Sequence, residues 1–262
     1  MKNKPIGIFD SGIGGTSIWK EVIKLLPNEN TIYLADSINA PYGEKSSEEI
    51  ILLSIKNTEF LISKGCKLII VACNTATTNA IDYLRKTYTI PFIGIEPAIK
   101  PAALLSKTGA IGILATKGTL TSKLFEKTAA EYSKNITTIE QDGEGLVPLI
   151  EAGKLNSIEL NKLLSNYIKP MLNFNIDHLV LGCTHYPYLI PQIKEILGST
   201  IHIIDSGEAV ARQTKAILEK LNLISIATIQ ANHQLFTNNN KEVLEQLIKE
   251  VTANYSVHKL DF

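Results

Sequence analysis

The sequence is poor in cysteine and has no excess of either charge. It contains three cysteines in 262 residues, and no two of them are spaced as C-x-x-C. An odd and small number of thiols argues against a disulfide framework and against a cysteine-based zinc site, and we read them as reduced. Lys and Arg number 26, as do Asp and Glu, so no basic excess favours nucleic acid as a partner.

Long apolar runs are also absent. No run approaches the roughly 18 to 20 residues that a membrane-spanning helix needs. The amino terminus leads directly into the strand-like run 6–9, without the apolar segment and cleavage site of a signal peptide. The nucleotide and zinc motifs G-x-G-x-x-G, P-loop and H-E-x-x-H do not occur either. We therefore expect a cytoplasmic protein with no membrane partner and no metal site.

Short apolar runs rich in Ile and Val alternate with segments of helical period. Such runs are typical of parallel strands buried on both faces, so the sequence predicts an α/β fold. The predicted strands are 6–9, 31–35, 67–72, 90–95, 110–115, 135–139, 177–182, 201–204, 226–230 and 256–260. Helices are predicted after Gly14-Gly15, from the capping-box pair Ser46 and Glu49 to Gly65, over 160–168 and around 241–251.

The chain contains a weak internal repeat. In each half, an opening strand-like run is followed at a similar distance by a cysteine, Cys73 in the first half and Cys183 in the second. The repeat predicts two similar domains with largely parallel sheets, related by pseudo-twofold symmetry, with the active site in the cleft between them. The chain is predicted to cross near Glu96-Pro97 and to return near Asp205-Ser206, which gives domains of residues 1–97 plus 208–262 and 98–207.

Cys73 and Cys183 each follow an apolar run of strand length and precede a helix-like segment. This pattern places a thiol at the carboxyl end of a buried strand, where open α/β sheets bind ligands. A helix N-terminus lowers a thiol pKa from about 8.5 into the range of roughly 3.5 to 7.5. His185 either assists proton transfer, holds a carboxylate or caps the next helix. Free cysteines are commonly inert core residues, and we interpret Cys66 in that way.

The segment Asp10–Gly15 follows the first strand and reads Asp-Ser-Gly-Ile-Gly-Gly. Its glycines let backbone amides approach a ligand, and the preceding Asp suits an amino group; a plain turn with an Asp cap is the alternative. The segment Pro41-Tyr42-Gly43 is either a turn or an aromatic wall with backbone amides at the cleft. Spacing alone does not single out Glu151, because most glutamates in such a place are solvated.

Four segments together closely resemble the glutamate racemases of the aspartate/glutamate racemase superfamily. They are Phe9–Gly15, Pro41–Gly43, Ala72–Ala76 and Leu181–Pro187. The resemblance extends from about residue 6 to residue 220, whereas 233–237 is only loosely similar to the family's final strand region. It implies interconversion of L- and D-glutamate without pyridoxal phosphate, metal or other cofactor. It also implies that the D form feeds peptidoglycan synthesis, and we expect a homodimer.

The resemblance also assigns roles to residues. By the resemblance, Cys73 removes the α-proton of D-glutamate and Cys183 removes that of L-glutamate. Each turnover then needs one sulfur as the thiolate base and the other as the thiol that returns a proton. The implied catalytic residues are Cys73, Cys183, Asp10, His185 and Glu151. The implied substrate-binding residues are Asp10, Ser11, Pro41, Tyr42, Gly43, Asn74, Thr75, Thr184 and His185. Two bases on opposed walls explain how a proton leaves one face of the α-carbon and another reaches the opposite face. Preorganised hydrogen-bond donors and the exclusion of water stabilise the carbanion between these steps.

Other functions fit the same residues. An aspartate racemase, or a decarboxylase that uses one cysteine, belongs to the same superfamily. A two-domain amino-acid-binding protein would carry both cysteines incidentally, and it would leave the optical rotation of L-glutamate unchanged. A thiol redox enzyme would require Cys73 and Cys183 to bridge, although in this interpretation the substrate lies between them.

Overall fold

The computed structural model describes residues 2–95, 97–132, 136–228 and 230–262. Within these residues the strands are Ile6–Asp10 (β1), Thr31–Ala35 (β2), Leu68–Val71 (β3), Phe92–Gly94 (β4), Ala110–Ala115 (β5), Thr137–Asp142 (β6), His178–Gly182 (β7), His202–Ile204 (β8), His233–Thr237 (β9) and Tyr255–Lys259 (β10). The α-helices are Thr16–Leu25 (α1), Ser47–Ser63 (α2), Asn74–Thr87 (α3), Ile99–Leu105 (α4), Lys117–Leu120 (α5), Lys123–Tyr132 (α6), Leu146–Glu151 (α7), Ile158–Ile168 (α8), Ile190–Leu197 (α9), Gly207–Lys220 (α10) and Lys241–Ile248 (α11).

The strands form two parallel sheets. One sheet has six strands in the order β10-β9-β2-β1-β3-β4, and the other has four in the order β6-β5-β7-β8. The order β2-β1-β3-β4 in the first sheet therefore matches β6-β5-β7-β8 in the second. This arrangement confirms the predicted α/β class with two largely parallel sheets. The domain boundaries stay a prediction, and Glu96, at the predicted crossing, lies outside the described residues.

The inner strands are apolar because both of their faces are covered. Every residue of β1, β3, β5 and β7 is buried, as expected for parallel strands with helices on each side. A parallel sheet collects the carboxyl ends of its strands along one edge. Asp10 ends β1, Cys73 follows β3 and Cys183 follows β7, so the chain places its polar and thiol side chains at these edges.

The predicted strand 226–230 is wrong. Residues 226–228 and 230 are not in a strand, and residue 229 lies outside the described residues. Within this segment the Ala227 amide donates to Ser225 Oγ at 3.2 Å and not to a neighbouring strand. Side chains hold the residues just before it: the Ser225 amide donates to Glu29 Oε1 at 2.7 Å, and Lys67 Nζ donates to the Leu223 carbonyl at 2.8 Å. Lys67 and Glu29 themselves form a buried ion pair at 2.5 Å.

The strand of this region is β9, between β2 and β10. Its alternate residues His233, Leu235 and Thr237 are buried, which is the period of two that a strand imposes. Of the other predicted strands, 31–35 and 110–115 coincide with β2 and β5, and the rest match β1, β3, β4, β6, β7, β8 and β10 with shifted ends. The largest shift is at β6, predicted over 135–139, where residue 135 lies outside the described residues and pairing with β5 continues to Asp142.

Helix α2 begins where the capping-box pattern predicts. The Glu49 amide donates to Ser46 Oγ at 3.3 Å, and the Ser46 amide donates to Glu49 Oε2 at 2.9 Å. Gly65 follows the helix with φ 76°, the left-handed conformation that favours glycine after a helix. The helices predicted after Gly14-Gly15, over 160–168 and around 241–251 correspond to α1, α8 and α11.

This cap gives a first testable prediction. Replacing Ser46 by Ala removes the side-chain acceptor for the Glu49 amide, and we expect the free energy of unfolding to fall by about 1 kcal/mol. Urea unfolding followed by circular dichroism measures the change. The exposed Ser63, whose hydroxyl donates to the Phe60 carbonyl near the other helix end, provides the control S63A. Equal stability of the S46A and wild-type proteins would contradict the prediction.

None of the helices in the described part of the chain combines the length and the apolar character needed to cross a membrane.

Candidate active site

One small cavity lies where the carboxyl ends of the two sheets face each other. Its lining residues are Ser11, Pro41, Tyr42, Gly43, Cys73, Asn74, Thr75, Thr116, Val147, Gly182, Cys183, Thr184 and His185. A volume of only about 10 Å³ is open to the centre of a water molecule, so the cavity is nearly closed. Both cysteines predicted to act in chemistry line this single space, and Cys66 does not.

Cys73 is held at the N-terminus of α3. Its Sγ accepts a hydrogen bond from the Ala76 amide at 3.4 Å and lies 3.6 Å from Ser11 Oγ. Burial, together with the nearby Asp10 carboxylate, raises the pKa of the Cys73 thiol above its usual value. The expectation that a helix N-terminus lowers this pKa is therefore not met, because loss of solvation outweighs the helix. These surroundings favour the thiol form of Cys73.

Asp10 lies directly behind the cavity wall and is fully buried. Its Oδ2 accepts the amides of Gly15 at 2.8 Å and Gly12 at 3.3 Å, and its Oδ1 accepts Thr184 Oγ1 at 3.3 Å. Burial raises the pKa of Asp10 to about 6, against the opposing effects of His185 and the Gly15 amide. Asp10 therefore caps the turn, as one of the two interpretations of the sequence predicts. The same carboxylate also contacts Thr184, in the loop that carries the second cysteine.

Cys183 belongs to a line of three polar groups. Its Sγ lies 3.7 Å from His185 Nδ1, and His185 Nε2 lies 2.6 Å from Glu151 Oε1. Burial opposes a charged imidazole, but the bonds to Cys183 and Glu151 outweigh it and raise the pKa of His185 well above 6.5. A protonated imidazole at this position stabilises negative charge on the Cys183 sulfur. The alternative that His185 only caps a helix is wrong, because its side chain makes no cap bond.

Glu151 joins the two halves of the molecule. Its Oε1 accepts the Ile13 amide at 2.7 Å as well as the His185 ring nitrogen. The Gly14 amide also lies 3.3 Å from His185 Nε2. A ring nitrogen that donates its hydrogen to Glu151 cannot also accept one from Gly14, so we assign the hydrogen bond to the shorter contact with Glu151. Glu151 is therefore a partly buried hydrogen-bonding group and not the solvated glutamate that its sequence position suggests.

The glycines of the first loop make room for these side chains. A Cβ on Gly12 would lie 1.9 Å from Glu151 Oε1, and one on Gly14 would lie 2.3 Å from His185 Nδ1. Both distances are far below contact. The sequence predicts that these glycines admit a ligand, whereas in the structure they admit protein side chains from the second half.

Tyr42 forms a buried wall of the cavity. Its hydroxyl donates to Asp36 Oδ2 at 2.6 Å and accepts from Asn57 Nδ2 at 3.1 Å. Burial and the Asp36 carboxylate raise the pKa of Tyr42 well above 10, so the hydroxyl stays neutral. Pro41 and Gly43 extend the same wall along the cavity. This loop is therefore a wall of the cavity and not only a turn.

Thr116 lines the cavity although the sequence did not predict it as a site residue. Thr116 Oγ1 lies 2.9 Å from Thr75 Oγ1 and 3.1 Å from Thr119 Oγ1, and these hydroxyls link α3 with the region after β5. A polar residue at the carboxyl end of a buried strand was the signal available for Thr116.

Asn74 Oδ1 is buried and has no hydrogen-bond partner among the described residues, which leaves an acceptor at the cavity.

The structure therefore brings the predicted site residues together in two layers. Ten of them line the cavity, namely Ser11, Pro41, Tyr42, Gly43, Cys73, Asn74, Thr75, Cys183, Thr184 and His185. Asp10 and Glu151 stand behind the lining and contact it through Thr184 and His185. In the part of the chain that the structure describes, no three His, Cys, Asp or Glu side chains are grouped as metal ligands.

Known proteins resemble this chain closely. The family model for Asp/Glu/Hydantoin racemase matches residues 18–214. A glutamate racemase of Herpetosiphon aurantiacus is 45% identical over 237 residues, which cover 90% of this chain and 93% of the relative. The structure of a glutamate racemase isoform from Bacillus anthracis has a TM-score of 0.85 and 31% identity, and the match covers 100% of this chain and 99% of that chain.

The Escherichia coli glutamate racemase, solved with L-glutamate and the activator UDP-MurNAc-ala, has a TM-score of 0.86 and 31% identity. That match covers 98% of each chain. These similarities confirm the resemblance carried by the four sequence segments. The chain belongs to the Asp/Glu/Hydantoin racemase family of enzymes, and within it the chain is similar to the glutamate racemases.

Proposed function

We propose that this enzyme interconverts L- and D-glutamate with Cys73 and Cys183 as its two acid–base groups. The observation that carries the proposal is that both thiols line one nearly closed cavity, each held by a different sheet. Racemisation requires a proton to leave one face of the α-carbon and another to reach the opposite face. Two fixed groups on opposed walls do this without moving around the carbon.

In the L-to-D direction, the Cys183 thiolate takes the α-proton and becomes a thiol. The Cys73 thiol then delivers its proton to the other face and becomes a thiolate, so protons and charge balance. The charges around each sulfur support this order: His185 stabilises a thiolate at Cys183, while burial and Asp10 favour the thiol at Cys73. Solvent exchange of the two sulfurs restores the starting state.

Further residues support binding of an amino acid. The substrate ammonium needs hydrogen-bond acceptors. Asn74 Oδ1 supplies one, and we assign another to the Asp10 carboxylate, which contacts Thr184. The carboxylates need donors, which we assign to Ser11, Thr75, Thr184 and the amide of Gly43. The nearly closed cavity excludes water, and this strengthens every hydrogen bond to the developing carbanion. His185 and Glu151 act as a pair next to Cys183.

The test is an optical-rotation assay with both enantiomers of glutamate and of aspartate, without added cofactor. We expect both glutamates to approach the racemate. Turnover of aspartate instead would favour the aspartate racemase alternative. An unchanged rotation of all four amino acids, together with binding of glutamate in calorimetry, would favour an amino-acid-binding protein.

We also expect full activity without pyridoxal phosphate or metal, since the proposed mechanism needs only the two sulfurs and their donors. Exhaustive dialysis against a chelator, combined with a carbonyl-trapping reagent, should leave the racemisation rate unchanged. The assay is run before and after the treatment. A loss that a divalent metal or pyridoxal phosphate restores would contradict the mechanism.

The remaining expectations from the sequence are part of the same proposal. D-Glutamate from this reaction supplies peptidoglycan synthesis. The enzyme is a cytoplasmic homodimer, and its domains are residues 1–97 plus 208–262 and 98–207. The strand membership of the two sheets supports the domain division, since β1 to β4 with β9 and β10 form one sheet and β5 to β8 the other.

A further inference from the structure

A hydroxyl group outside the cavity anchors the loop that carries Cys183. Ser17 lies in the first turn of α1, in the first half of the molecule, and does not line the cavity. Its Oγ donates to the main-chain carbonyl of Thr184 at 2.9 Å. Thr184 directly follows Cys183, so this bond fixes the peptide between residues 184 and 185, one residue beyond the cysteine.

The neighbouring Thr16 supplies a second anchor. Its Oγ1 donates to the Ile13 carbonyl at 2.5 Å, so the hydroxyl of Tyr188, also 2.5 Å away, is the donor in their contact. The Tyr188 amide donates to the His185 carbonyl at 3.2 Å. Two adjacent hydroxyls at the start of α1 thus hold both ends of the segment 184–188.

The first thiol has no such dependence on α1. Cys73 is held by the Ala76 amide of α3 and by Ser11 Oγ. Loss of a hydroxyl from α1 therefore loosens one sulfur and leaves the other in place. A small displacement of a reacting group is costly, since about 1 Å of misplacement can slow a reaction by about a hundredfold.

We propose that Ser17 is a positioning residue for Cys183 and governs proton transfer on the L face of the α-carbon. The proposal rests on the proposed function, which assigns Cys183 to the proton of L-glutamate. Ser17 touches neither the substrate cavity nor a sulfur atom. It acts through the Thr184 carbonyl, which it holds across the boundary between the two halves.

The test is the isotope effect on kcat/KM with α-deuterated L-glutamate and, separately, α-deuterated D-glutamate. In S17A we expect kcat/KM to fall by about threefold to tenfold. Transfer at Cys183 then becomes the slower of the two proton transfers. The isotope effect should therefore rise for the L substrate and fall towards one for the D substrate. S17T, which retains a hydroxyl, should restore both values.

Two further variants complete the design. Y188F removes the second anchor and should shift the two isotope effects in the same directions. S63A removes a hydroxyl that bonds a carbonyl within α2, and it should leave both effects at the wild-type values. Circular dichroism establishes that each variant is folded.

Equal changes for both substrates, no change, or a larger effect for the D substrate would overturn the proposal. A failure of the proposed function is recognised separately. If C183S still racemises glutamate, the two-thiol assignment fails whatever S17A does. If C183S is inactive and S17A changes both isotope effects equally, only the positioning role of Ser17 fails.

Discussion

Replacing either Cys73 or Cys183 by Ser is expected to abolish racemisation in both directions. Every turnover uses both sulfurs, one as base and one as acid, so neither can replace the other. A serine hydroxyl is far too weak an acid to become the base at neutral pH. We expect a loss of at least about a thousandfold, which corresponds to about 4 kcal/mol of barrier. The measurement is the racemisation rate of purified variants, with circular dichroism to confirm the fold.

Cys66 provides the matched control. It is also buried and free, but it packs among the hydrophobic residues near Gly7 and does not line the cavity. Burial raises the pKa of its thiol to about 12, so it carries no thiolate at neutral pH. C66S should racemise at close to the wild-type rate. Near wild-type turnover in C73S or C183S would refute the two-thiol mechanism.

Replacing Asp10 by Asn is expected to lower turnover by at least tenfold, about 1.4 kcal/mol of barrier. The amide keeps the size of the carboxylate, but it removes the charge that faces His185 and weakens acceptance from the Gly12 and Gly15 amides. Steady-state rates with both enantiomers measure the effect. Wild-type turnover in the folded variant would show that Asp10 is only a turn residue.

The pH dependence provides a second measurement on Asp10. Burial raises the pKa of Asp10 to about 6, so the carboxylate is ionised above this pH and neutral below it. We therefore expect kcat/KM of the wild type to fall as the pH is lowered through about 6, since this parameter reports groups of the free enzyme. D10N should lack this acid limb. An unchanged acid limb in D10N would assign the limb to another group.

Local sequence patterns predicted much of the fold because they reflect local physics. The buried strands β1, β3, β5 and β7 are continuous apolar runs, and the pattern finds them because both faces are covered. The capping box at Ser46 is likewise a contact between residues three positions apart. The cysteine positions follow from the same strands, since a parallel sheet collects its carboxyl ends at one edge.

Long-range contacts explain what the sequence could not predict. The segment 226–230 has the composition of a strand, but the side chains of Glu29 and Lys67 hold the preceding residues Ser225 and Leu223, and the Ala227 amide donates to Ser225 Oγ and not to a strand. Glu151 looks solvated until folding places it 2.6 Å from His185, which is 34 positions later. The raised pKa of Cys73 depends on burial, which no local pattern measures.

The central claim is that two sulfurs serve opposite faces of one carbon, and racemisation in heavy water tests it most directly. L-Glutamate is converted to a few per cent, and the α-deuterium content of each enantiomer is measured by mass spectrometry after chiral separation. We predict that the D-glutamate formed carries solvent deuterium at the α-carbon, because Cys73 supplies it, while the remaining L-glutamate is almost unlabelled. D-Glutamate that retains the original α-proton would show that one group carries it from face to face, and the two-thiol mechanism would be wrong.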